Sequence, residues 1–314
     1  GGFLALLRAN RNYRYTWLGQ VVSEAGDNFN NVAVFSLALA NTGSGLVVAG
    51  VLLSRAVCIL PAGPIAGVLL DRMDRRRIMI LSDMVRAVVA LGFLLAIPRE
   101  HGWLLYVLSG MLMFASPFFT SGRSAILPSI TTREELHTAN ALTQLTQWTA
   151  LAVGSFLGGV AVIGGYRAAF LFNAASFVFS AYCIAKLSIP GGFRPRPSGE
   201  SRNNLTEDRV LRPWREYLAG LRYMRATPLI FGIALLNVGW ASGGGAAQIL
   251  LSLFGDIVFK RGPVGIGTIW SSAGIGLLIG SIVAHRLFPR LTYRGYKTTV
   301  AICYVIHGGS VLLF

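Results

Sequence analysis

Apolar runs of about 20 residues recur along this chain, parted by short polar turns, and that length is what a helix needs to cross a hydrocarbon core. The runs occupy residues 15–40, 46–70, 78–98, 103–120, 141–164, 168–189, 228–254 and 264–285, and a ninth starts near Thr298. Lipid offers no hydrogen bonds to a bare backbone, so such runs must be helices. A membrane barrel would show alternating segments of about ten residues, and none are present. Only 13% of the residues are charged, against about 25% in soluble domains. The class expected is an all-α membrane protein.

Charge placement orients it. With the N-terminus on the cytoplasmic side, 23 of the 28 Lys and Arg residues fall in cytoplasmic regions, as the positive-inside rule demands. The net charge of +15 sits in short turns between apolar runs, which suits anionic membrane lipids as partners and argues against nucleic acid. Cys58, Cys183 and Cys303 lie inside apolar segments and read as packing residues, with no disulfide framework. Composition shifts over residues 190–227, which hold prolines, arginines and acids. They read as a cytoplasmic linker between a six-helix bundle over 1–189 and a second membrane block over 228–314. Within the linker, residues 214–225 put Tyr217, Leu218, Leu221 and Met224 on one face, as in a helix lying on the membrane surface. The sequence begins without Met and ends inside an apolar run at Phe314, and is expected to be a fragment.

Between the second and third runs stands Gly67-Val68-Leu69-Leu70-Asp71-Arg72-Met73-Asp74-Arg75-Arg76-Arg77, with six charges in its last seven residues. Gly67 is expected to let helix backbones approach, and Asp71 to pair with an arginine or cap a helix N-terminus. The spacing of Gly67, Asp71, Arg72, Arg75 and Arg76 resembles motif A of the major facilitator superfamily, with Asp74 where many members have a second glycine. The form is most similar to the drug-antiporter branch that includes macrolide-efflux and enterobactin-exporter-like proteins. The resemblance implies two six-helix bundles related by a parallel pseudo-repeat, of which about nine of twelve helices would be present. It further implies transport by alternating access, with the hairpin acting as a gate. A shift of 213 residues lays Gly19, Gly26, Gly63 and Gly67 on Gly232, Gly239, Gly276 and Gly280, in keeping with such a repeat. Gly154-Ser155-Phe156-Leu157-Gly158-Gly159 resembles the antiporter motif of the fifth helix, with Ser155 in place of its proline. The fourth helix has no arginine at its middle, and Arg123 is expected at its cytoplasmic end.

The first run carries Gln20, Glu24, Asp27, Asn28 and Asn31, all within about 60° of Glu24 on a helix. A single Asp at a helix centre costs about 2.5–3.5 kcal/mol to insert, so this face must meet a water-filled cavity or polar partners. Glu24 and Asp27 are candidates for a proton or substrate site. Arg55, inside the second run, should lie at the depth of Asp27. The alternative reading is a structural Asp27–Arg55 pair locking helices 1 and 2. Asp83 and Arg86 share a face of the third helix. Gln147 and Trp148 of the fifth run, with Asn237, Trp240 and Gln248 of the seventh, offer amides and aromatic area to an amphipathic organic ligand. The competing reading is hydrogen bonding between helices.

No phosphate-binding loop exists, the histidines lack metal-ligand spacing and no nucleophile–base pair stands out. The expectation is therefore no cofactor, no metal and no enzymatic activity. A secondary transporter exporting a small amphipathic molecule (drug, macrolide or siderophore type) with protons as coupling ion is the first reading. A lipid or lysolipid flippase or an importer on the same fold is the second, and a membrane sensor or enzyme the third. Topology is testable directly. Cysteine placed at Gly43 or Glu100 should react with an impermeant maleimide in intact cells, and cysteine at Asp74 or Gly199 should not; the reverse pattern would invert the orientation.

Overall fold

The computed structural model describes residues 3–188, 192, 213–287 and 291–313. The described residues form α1 (Phe3–Ala9), α2 (Arg11–Thr42), α3 (Gly45–Arg72), α4 (Arg75–Gly92), α5 (Leu104–Ile130), α6 (Arg133–Ile163), α7 (Tyr166–Ala185), α8 (Pro213–Ala226), α9 (Pro228–Leu253), α10 (Gly262–Leu287) and α11 (Tyr293–Leu312). Two short 3₁₀ turns follow α4, and a π-helical turn, Phe254–Val258, follows α9. Seven of these segments are long and apolar enough to cross a membrane. At 32 residues α2 is long enough as well, and it carries the polar face. The chain divides into two compact units, residues 1–195 with 249–314, and residues 196–248.

Local chemistry ends the helices where it must. Asn10 caps α2 by accepting from the Tyr13 amide at 2.9 Å, and Gly43 closes it with φ 65°, a left-handed conformation that glycine adopts without strain. Ser44 caps α3 one residue later, so the turn between these two helices is very tight. Thr132 and Glu135 form a reciprocal capping box at the start of α6.

That box lies in the stretch between the apolar runs 103–120 and 141–164, which low hydropathy alone would leave as a loop. The fourth membrane helix continues to Ile130 and the fifth already begins at Arg133. The polar stretch is helical because its groups are used inside the protein: Gly122 is buried beside Met79 and Leu70, and Arg123 turns toward α2.

In the larger unit α2 is central. It packs on α6 and α7, α3 packs on α5, α4 bridges α5 and α7, and α10 lies along α6. Eight consecutive residues, Val32 to Leu39, are buried, which marks this half of α2 as enclosed on every side. Large apolar side chains such as Leu53, Leu60, Val88 and Ile163 point outward instead, as lipid-facing residues do. Small residues set the helix spacing. A Cβ at Gly158 would lie 2.9 Å from the Phe29 Cα, and one at Gly274 would lie 2.6 Å from the Ala152 nitrogen. Gly67 does not act this way: no described atom lies within 4 Å of its Cβ position, so that face of α3 is open.

In the smaller unit the residues of α8 are helical, as the periodicity of 214–225 suggests; the side chains of Tyr217 and Leu218 lie outside the described residues.

The α2–α7 contact provides a test. A Cβ at Gly26 would press on Ser176, whose own Cβ would be 2.8 Å away, and on Asn173 Oδ1 at 2.8 Å. Gly26→Ala should destabilise the protein by about 1–3 kcal/mol, seen as a lower unfolding temperature in detergent, with partial recovery on adding Ser176→Gly. Gly67→Ala should leave that temperature unchanged.

Candidate functional site

The first half of α2 presents its polar side chains to α5 and α6. Gln20, 2% exposed, donates from Nε2 to the Thr143 carbonyl at 3.0 Å and to Glu24 Oε1 at 2.9 Å. Arg123 of α5 reaches the same Glu24 oxygen at 3.4 Å. Glu24 Oε2 is buried with no hydrogen-bond partner. Next to this group lies a polar cavity of about 40 Å³, lined by residues that include Tyr13, Thr16, Arg123, Ser124, Asn140 and Thr143. It has room for ordered water. Arg123 was expected at the end of a shorter helix; it lies inside α5 and supplies the cation for Glu24. The signal available in the sequence was the capping pattern at Thr132–Glu135, which starts the next helix so late that α5 has seven further residues beyond Arg123.

A second group lies further along α2. Arg55 of α3, 8% exposed, donates from Nη1 to Asn31 Oδ1 at 2.9 Å, and its Cζ stands 5.2 Å from the Phe35 ring centroid. The Asp27–Arg55 pair of the alternative reading does not form: no nitrogen of Arg55 is within ion-pair distance of Asp27. The amide of Asn31 takes that place. Asp27 is half-buried and makes no hydrogen bond with the described residues, although the charges of Arg86 and Arg55 act on it. Asn28 turns its amide back to the Glu24 carbonyl at 2.8 Å. Asn30, off the polar face, is fully buried.

Behind these stands a pair within α4. Asp83 and Arg86, 0% and 3% exposed, are joined as an ion pair, and the guanidinium lies between the rings of Phe119 and Phe177 at 4.7 and 4.3 Å. Two aromatic faces and one carboxylate offset this charge, while Nε is buried without a hydrogen-bond partner among the described residues.

In the hairpin, Asp71 and Arg72 are exposed. The helix cap expected of Asp71 is made by Asp74, which accepts from the Arg77 amide at 3.1 Å; it is the residue immediately before α4, where a capping side chain must stand. Arg75 donates to the Leu70 carbonyl at 3.3 Å and the Ala125 carbonyl at 2.9 Å, while Arg76 donates to the carbonyl of Ala185. A cation at the last carbonyl of α7, where Arg76 stands, is favoured by the helix dipole.

Among the described residues, no hydrogen bond brings Gln147, Trp148 or Asn237 into these groups. Gln147 is exposed and Trp148 half-buried; α6 meets α2 through Thr143 and Thr146 instead, the latter accepting from Trp17 Nε1 at 2.8 Å. Asn237, Trp240 and Gln248 are residues of α9 in the smaller unit. Asn237 donates to its own helix at the Ile233 carbonyl, 2.9 Å away, and the side chain of Trp240 lies outside the described residues.

The molecule thus combines a bundle of long apolar helices with an interior polar face and a basic hairpin between the second and third membrane helices. The sequence profile of the Major Facilitator Superfamily matches residues 16–314. The chain belongs to this superfamily. Among relatives in the superfamily, a protein named as the bacilysin exporter BacE of Bacillus subtilis (strain 168) is 27% identical over 179 residues, covering 57% of this chain and 44% of its own length. The enterobactin exporter EntS of Shigella boydii serotype 4 (strain Sb227) is 25% identical over 287 residues, covering 90% of this chain and 65% of its own. EntS of Escherichia coli O1:K1 / APEC is 26% identical over 225 residues, 71% and 51% of the two chains. The chain thus spans about half the length of the curated relatives it matches.

The Asp83–Arg86 pair should be structural. Arg86→Met strands a carboxylate that is 0% exposed and should cost about 3–5 kcal/mol. The double change Asp83→Asn with Arg86→Met should recover most of this, as read from folded yield and unfolding temperature.

Proposed function

We propose that the full protein is a secondary transporter that exports an amphipathic organic compound, of drug, macrolide or siderophore type, driven by the proton gradient. The observation that carries this reading is Glu24: an intramembrane carboxylate with one oxygen held by Gln20 and Arg123 and the other buried without a partner, beside a small polar cavity. An ionisable group kept inside a helix bundle is expensive and is retained for ion or substrate movement. The relatives named as exporters of bacilysin and enterobactin support the direction.

In this mechanism Glu24 takes up a proton, its attraction for Arg123 falls, and α2 and α5 are freed to move relative to one another. Loss of the proton restores the pair. The chain's two membrane blocks act as halves of a parallel repeat and rock about a midplane site. The hairpin gates the cytoplasmic side: Arg75 and Arg76 bind the helix ends of α5 and α7 in one state and release them in the other. Its cationic turns face anionic headgroups, with the N-terminus in the cytoplasm.

The test uses the full-length protein in vesicles with an imposed pH gradient. Glu24→Gln should reduce gradient-driven efflux to background while leaving substrate exchange intact, since exchange needs no net proton movement. Unchanged gradient-driven efflux in this variant would remove Glu24 as the coupling group.

A further inference from the structure

Arg55 has two buried guanidinium nitrogens without a hydrogen-bond partner, more than any other described arginine. Nη1 is held by Asn31 and the Phe35 ring lies under the group, but Nε and Nη2 are buried without a partner. Those two N–H groups are one edge of the guanidinium, the side-on fork whose spacing matches the two oxygens of a carboxylate. Asn31 and Phe35 hold the group in place and leave that edge free.

Asp27 is the complementary case. It lies one helical turn before Asn31, is half-buried, and makes no hydrogen bond or ion pair among the described residues. Its electrostatic neighbours are Arg86 and Arg55. Arg86 is already neutralised by Asp83 and enclosed by two rings, so Asp27 and Arg55 are the two open charges. Their attraction would be strong in a low-dielectric interior. Packing keeps them apart: Gly26, the neighbour of Asp27, is wedged on Ser176, and Arg55 is committed to Asn31 and Phe35. Burying opposite charges without joining them costs desolvation with little return. A ligand carrying both complementary charges would supply the return.

We propose that Asp27 and Arg55 are the two ends of a recognition site for a zwitterion, with Asp27 accepting from an ammonium group and the Arg55 fork donating to a carboxylate. This rests on the transporter reading above but replaces its drug, macrolide or siderophore type with a narrower substrate class: an amino acid derivative or short peptide with both charged ends free and an apolar body. In the present conformation the fork is enclosed and Asp27 is the more open end. The ammonium therefore engages first, and the carboxylate reaches the fork as α3 shifts against α2, a displacement of the kind alternating access provides. Blocking either end of the ligand leaves one buried charge unpaired, and that is the source of selectivity.

The probe is L-leucyl-L-phenylalanine, compared with its N-acetyl and its C-terminal amide forms, on the purified full-length protein and in liposomes. The free dipeptide should raise the unfolding temperature and drive counterflow of labelled dipeptide. Each blocked form should bind about tenfold more weakly or worse, the low end of what an unpaired buried charge costs. Asp27→Asn should abolish discrimination against the N-acetyl form alone, and Arg55→Gln against the amide form alone. Arg55→Lys, which keeps the charge and lacks the fork, should fold and still lose affinity for the free dipeptide. A purely structural role for the two residues would give none of this split. Equal binding of free and blocked forms, or no binding of any, overturns the proposal. Export of a cationic dye under a pH gradient in the same liposomes would then leave the transporter reading standing, and its absence would remove both.

Discussion

Charge inside a hydrocarbon slab has to be compensated by the protein, and the bundle is built around that requirement. Three acids, Glu24, Asp27 and Asp83, and three arginines, Arg55, Arg86 and Arg123, occupy its interior on α2, α3, α4 and α5. Their formal sum is zero, yet they are not equally joined. Asp83 and Arg86 are closed off by each other and by aromatic faces, Glu24 and Arg123 meet at 3.4 Å, and Asp27 and Arg55 stay apart. This gradation runs from an enclosed ion pair, through a longer contact, to two charges that do not meet.

The same requirement explains the shape of α2. Its first half is polar and half-buried against α5 and α6, where carbonyls and hydroxyls of Thr143 and Thr146 complete the hydrogen bonding. Its second half, Val32 to Leu39, is apolar and fully enclosed. The enclosed half anchors the helix by packing, so the polar half can hold partly unsatisfied groups without unravelling. At the turn between α3 and α4, arginines reach a carbonyl near the end of α5 and the last carbonyl of α7. These charge-assisted hydrogen bonds hold the turn to both helices.

Much of this was legible in the sequence. The helical class and the rough placement of the helices follow from runs of apolar residues, since lipid permits no other backbone solution for them. The polar face of α2 follows from helical periodicity, because five side chains at those spacings can only line one side. The Asp83–Arg86 pair sits at i, i+3, where the helix itself brings the partners together. The superfamily was recognisable from the hairpin spacing for the same reason: a short motif is local.

Partners that depend on how helices pack were decided by the tertiary structure. Arg123 meets Glu24 across 99 residues of sequence, and it lay hidden because a polar stretch lowers hydropathy and so resembles a loop. Depth alone matched Arg55 to Asp27, but the rotation of α3 against α2 delivered it to Asn31. Gly67, read as a close-approach residue, has an open face, whereas Gly26 and Gly158 do the packing. Composition along a helix says which groups need a partner; only the relative rotation and spacing of helices, set by small residues at their contacts, decides which partner each one gets.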